Sequence, residues 1–60
     1  MDKAFKTMLE SINAQLNILN RNGYAIYDAD NPEYFISCIK YDSNSDEVIF
    51  ETMEDERKLE

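Results

Sequence analysis

Asn20-Arg21-Asn22-Gly23-Tyr24-Ala25-Ile26-Tyr27-Asp28 is the stretch in which the chain changes its period, and its reading decides the fold. Upstream, Phe5, Met8, Ile12, Leu16 and Leu19 recur at spacings of three and four residues, the mark of one apolar stripe on a helix. Leu9 and Ala4 widen the stripe, whereas Lys6, Glu10, Asn13 and Asn17 fall away from it. Asp2 suits the N-cap by its side-chain oxygens and its charge. Arg21 puts a cation in the last turn, and Gly23, the only glycine, suits a left-handed C-terminal cap. The helix is therefore expected over residues 1–22, with a strand beginning at Tyr24.

Downstream the period is two. Tyr24 to Asp28 reads as a first strand, closed by the polar turn Ala29-Asp30-Asn31-Pro32. Tyr34 to Tyr41 is dense in aromatic and β-branched residues and reads as the second. Asp42-Ser43-Asn44-Ser45-Asp46 makes a hairpin connection, and Val48 to Met53 the third strand. The expected architecture is α+β: one N-terminal amphipathic helix packed across a three-stranded antiparallel sheet, an α-β-β-β meander. Residues 1–53 would form this single domain and 54–60 a short charged tail. Leu59-Glu60 matches a dipeptide that often remains between a protein and its purification tag, and stands outside the functional argument.

Sixty residues leave room for one small domain, which hides only about 60 % of the surface of its unfolded chain. At 43 % hydrophobic the chain is too rich for intrinsic disorder, yet no apolar run approaches a membrane span. No N-terminal stretch reads as a signal peptide, and Cys38 is the single cysteine. Small secreted domains lean on several disulfides, so a reducing, cytoplasmic setting is expected. Without histidine there is no imidazole ligand or general base, and neither a zinc set nor a Cys–His pair can be assembled. The net charge of −7 opposes direct binding to nucleic acid or anionic lipid. That charge is uneven: residues 1–23 balance at +1, three cations against two acids, and residues 24–60 at −8, three against eleven.

Six Asn, six Ile, four Lys, four Tyr and three Phe are the products of A/T-rich codons. In size, acidity and this bias, and by no motif, the chain resembles the uncharacterised small proteins of bacteriophages and prophages of low-GC Gram-positive bacteria. The resemblance implies a phage or prophage origin and carries no functional residue across.

Four features invite chemistry. Asp42-x-Asn44-x-Asp46 resembles the first half of an EF-hand loop, but Glu47 stands where that loop needs glycine and Met53 where it needs the bidentate glutamate. Asp28-x-Asp30-Asn31 is broken by Pro32. Both read as turns that bond their own backbone, and neither metal nor cofactor is expected. Glu47 and Glu51 share one face of a strand with Asp46 nearby, but acid–base work needs a desolvated carboxyl in a cleft of about 300 Å³ or more. Catalysis and a small-molecule substrate are therefore not expected. Cys38, mid-strand and far from cations other than Lys40, reads as a small buried hydrophobe.

One helix covers one face of a sheet, so apolar groups are left over on the other. A five-residue hairpin loop would turn Ile36 and Cys38 toward the helix with Val48 and Phe50, leaving Phe35, Ile39, Tyr41 and Ile49 open. A four-residue loop would turn Phe35 and Ile39 inward and leave Tyr34, Ile36 and Ile49 open. The expected function is a non-catalytic interaction module that binds a protein partner or itself through this face or through an exposed strand edge. Its residues are Tyr34, Phe35, Ile39, Tyr41 and Ile49, rimmed by Glu47 and Glu51. The alternative is an acidic decoy that imitates nucleic acid and blocks a DNA-binding protein.

Overall fold

The computed structural model describes residues 2–58. Met1 and Leu59-Glu60, with the tag-remnant reading attached to the latter, lie outside the described residues. Helix α1 runs from Lys3 to Arg21. The Asp2 carboxylate caps it by accepting from the Phe5 N–H at 2.8 Å. At the other end Gly23 takes φ +79°, and the Tyr24 N–H donates to the Leu19 carbonyl at 2.9 Å. That six-to-one bond is the Schellman closure, which the left-handed glycine makes possible.

Strands β1 (Tyr34–Asp42) and β2 (Glu47–Glu54) form an antiparallel hairpin around a four-residue turn, residues 43–46, with Asp46 at φ +55°. The register pairs Tyr41 with Val48, Ile39 with Phe50, Cys38 with Glu51, Ile36 with Thr52 and Phe35 with Met53. A bulge lies between Ile36 and Cys38. The extra residue, Ser37, reverses the alternation of β1 at that point. Tyr34, Ile36, Ile39 and Tyr41 consequently share a face with Val48, Phe50 and Thr52, while Phe35 joins Cys38, Ile49 and Met53 on the other. The four-residue loop is thus the one adopted, but the bulge divides the faces differently from either expected register.

The expected three-stranded meander is corrected to α-β-β: the sheet has two strands. Residues 24–28 make one isolated bridge, Tyr27 with Phe35, flanked by Ile36 N–H to the Ile26 carbonyl and Asp28 N–H to the Tyr34 carbonyl, both 2.9 Å. A third strand cannot extend further because the helix already occupies that edge. The Asn13 amide brackets Ile39, donating to its carbonyl at 2.9 Å and accepting from its N–H at 2.7 Å. Asn20 donates to the Ile36 carbonyl at 3.3 Å. The helix accordingly lies along β1 and makes no comparable contact with β2, so it does not span the sheet face.

This docking rotates the buried stripe. Leu9 and Leu16 are the buried apolar side chains, with Phe5 and Leu19 half-buried beside them. Met8 and Ile12, expected inside, are 62 % and 40 % exposed. Asn13 and Asn20, two turns apart, turn inward instead, because only a polar group can satisfy edge N–H and carbonyl groups. Residues beyond β2, expected as a charged tail forming either a frayed helical turn or a disordered end, make a 3-10 turn over Glu56–Lys58 that begins at the buried Asp55.

Candidate functional site

Two surfaces stand out, and they differ in how completely their polar groups are satisfied. The first is the cleft between the hairpin and residues 55–58, a cavity of ≈ 330 Å³ walled by Asn20, Tyr27, Phe35, Met53, Asp55 and Arg57. Asp55 is only 6 % exposed. Its carboxylate accepts from Arg57 Nε and Nη2 at 3.2 and 3.3 Å, from the Arg57 N–H at 3.0 Å and from the Tyr27 hydroxyl at 2.5 Å. Its own N–H donates to the Glu33 carbonyl at 2.7 Å. The Arg57 guanidinium first, and the Tyr27 hydroxyl second, hold its pKa down at about 2. The same contacts push the Tyr27 hydroxyl and the Arg57 guanidinium up. Lys58 completes the stitching, with its ammonium 3.5 Å from the centre of the Tyr27 ring and 3.0 Å from the Pro32 carbonyl. A carboxylate committed to four donors has no spare lone pair for proton transfer, so the cluster is a clamp that closes the domain.

The second surface is β2. Ile39 directs its N–H and carbonyl away from β2, toward Asn13. Its cross-strand partner Phe50 therefore sits in a wide pair, and the N–H and carbonyl of Phe50 point outward on the far edge. Val48 and Thr52 follow by alternation, and Thr52 is checked independently. Its partner Ile36 bonds Ile26 and Asn20, again away from β2. Among the described residues, no hydrogen bond outside the β1–β2 ladder reaches these groups on Val48, Phe50 or Thr52. The side chains beside that edge are uncovered as well: Val48 is 46 % exposed, Phe50 61 % and Met53 57 %. Behind Val48, Tyr41 packs edge-on against Phe5 at 5.8 Å, which joins the helix to the Val48–Phe50 face.

The residues that sequence reasoning singled out are split by the bulge. Tyr34, Ile39 and Tyr41 lie on the Phe50 face; Phe35, Ile49, Glu47 and Glu51 lie on the opposite one, and Glu47 and Glu51 do share a face. The five apolar ones are half-buried rather than open. Glu51 pairs with Lys40 at 3.5 Å and accepts from the half-buried Cys38 thiol at 3.5 Å. Asp46 accepts from the Tyr41 hydroxyl, which raises that hydroxyl's pKa. Both turns bond their own backbone: Asn44 N–H donates to Asp42 at 3.0 Å and Asp30 N–H to Asp28 at 2.9 Å. The Asp30 N–H and the Asn31 amide lower the pKa of Asp28. Among the described residues, no group of three or more acidic or cysteine side chains is placed to hold a metal, and no helix is long and apolar enough to cross a membrane.

Sequence reasoning missed Phe50 and Val48 as surface and Asp55 as interior. Phe50 carries the signal of a core residue. Asp55 is hidden in a run of charges, and only a long-range tyrosine distinguishes it from its neighbours. Comparison with known proteins finds no matching family model, no matching curated protein and no matching solved structure.

Proposed function

We propose that the chain is a non-catalytic interaction module that takes up a protein strand, from a partner or from itself, along the outer edge of β2. The observation that carries this reading is an inversion between core and surface. Among the described residues two apolar side chains are buried, Leu9 and Leu16, against eight large ones left exposed. Three of those eight flank an edge whose backbone groups have no partner. An added strand would satisfy the backbone and cover Val48 and Phe50 in one step, which is how strand addition combines affinity with specificity.

Capture from the encoding organism with two baits tests the reading. The intact chain retains a protein at high salt, and Phe50→Asp loses it, because a charge at the edge blocks strand addition. Identical capture by both baits would refute the edge as the binding site. A protein released by salt from both baits alike would favour the acidic decoy, whose carboxylates stand in for phosphates.

A further inference from the structure

The two edges of this sheet are treated oppositely. The β1 edge is closed by Asn13, Asn20 and Ile26, whereas the β2 edge is uncovered and is guarded by the charges of Glu47, Glu51 and Glu54. It has no proline, glycine or lysine, and the bulge lies in its neighbour. An eight-residue strand left in this state is a template, and its own sequence specifies what fits.

Resting on the interaction-module reading, we propose that β2 pairs antiparallel with β2 of a second copy. A two-fold axis at Phe50 makes one four-stranded sheet. Charge and strand overlap together select that register. The outward groups belong to Val48, Phe50, Thr52 and Glu54, so these residues must form the hydrogen-bonded pairs, and only every second register is available. With Phe50 opposite Phe50, Val48 faces Thr52 of the second copy, Glu51 faces Ile49, and Glu47 faces Met53. Within β2 no glutamate meets another acid; Glu54, at the strand end, falls opposite Asp46 of the turn. Sliding one allowed step in one direction sets Glu47 against Glu51 twice. Sliding the other way sets Glu51 against Glu51 at the centre. Like charges directly opposite are destabilising, and slides of two steps pair five or fewer residues of β2, so the register centred on Phe50 is retained.

The assembly also closes. Pairing through β2 leaves the two β1 strands outermost, and each is already capped by its own helix. The contact is therefore isologous and stops at two copies. Each copy carries −7, so long-range repulsion opposes association and salt relieves it. Dimerisation should strengthen with ionic strength, opposite in sign to capture of a basic partner.

The test is sedimentation of the intact chain across concentration and salt, joined to cysteine cross-linking in a Cys38→Ser background. A monomer–dimer equilibrium that tightens with salt is expected, and Phe50→Asp should weaken it by about tenfold or more. Phe50 is largely exposed, so this variant should keep its fold. Thr52→Pro is the second variant, since it deletes an outward N–H and no ladder bond. Under oxidation Phe50→Cys should link to itself, Cα atoms in such a pair lying about 5.5 Å apart. Thr52→Cys should not link to itself, because the two copies of residue 52 stand roughly 13 Å apart. Mixed Val48→Cys and Thr52→Cys chains should link to each other. A monomer at every concentration and salt, or a Thr52–Thr52 cross-link, overturns the proposal. Neither result bears on capture of a different partner by the β2 edge, which the two-bait comparison decides.

Discussion

Asn13 stands to Ile39 as a neighbouring strand would: its amide gives one hydrogen bond to the Ile39 carbonyl at 2.9 Å and takes one from the Ile39 N–H at 2.7 Å. A side chain on a helix thus performs the pairing expected of a third strand, and the helix must turn its asparagines inward to do so.

This relationship sets the cost of removing it. Asn13→Leu leaves the Ile39 N–H and carbonyl without partners in a part-buried setting and should destabilise the domain by about 1–3 kcal/mol. Asn20→Leu should cost less, about 1 kcal/mol or below. Among the described residues Asn20 makes a single bond at 3.3 Å, and its own amide oxygen is buried without a partner. Urea unfolding of the two variants checks the order.

The rotated stripe makes a second prediction. Leu16→Ala deletes one of the two buried apolar side chains and should cost about 2–3 kcal/mol, the lower part of the range for core leucines. Met8→Lys and Ile12→Lys should each stay within about 1 kcal/mol of the parent, since their side chains already meet solvent. Thermal melts that rank Met8 or Ile12 with Leu16 would restore the stripe expected from spacing alone.

Much of the fold is legible before the structure is seen, and the reason it stops is specific. Asp2, Arg21 and Gly23 mark the helix ends through local chemistry, and the turn residues Asp42 to Asp46 mark the hairpin in the same way. The expected first strand fails because its alternation, Tyr24-Ala25-Ile26-Tyr27, is a local property. Whether it finds an edge depends on what else has taken that edge. Asn13 reads as solvent-facing because polarity is equated with exposure, and Asn20 only as part of the helix stop. Their spacing of seven residues, in phase with Leu9 and Leu16, was the available signal. The site follows the same rule: Ser37 looks like any strand residue, yet as a bulge it separates Phe35 from Ile39.

Acid titration isolates the Asp55 clamp. Its folded pKa, about 2, lies below the ordinary 3.8, so its contribution is present above the ordinary value and is lost as pH falls through about 2. Asp55→Asn should lower stability at neutral pH and flatten that part of the acid limb. At the alkaline end Tyr27, raised by the same carboxylate, contributes below its ordinary 10.0 and loses that contribution as pH rises through the higher folded value. Tyr27→Phe should remove the alkaline loss. Denaturation followed by circular dichroism across pH reads both limbs.

Gly23 tests the helix stop. Its φ of +79° is unfavourable for any Cβ, although nothing lies within 4 Å of one placed there. Gly23→Ala should therefore cost about 1 kcal/mol from backbone strain alone, and Gly23→Asn less, because asparagine tolerates the left-handed region. Equal losses for the two variants would point to packing rather than conformation.

The sheet has one closed edge and one open edge, and amide hydrogen exchange in dilute solution measures both at once. The Ile39 N–H, held by Asn13, should be protected, while the N–H groups of Val48, Phe50 and Thr52 should exchange near the rate of unstructured chain. Protection of Phe50 equal to that of Ile39 in the monomer would mean that the β2 edge is already covered, and would contradict the account.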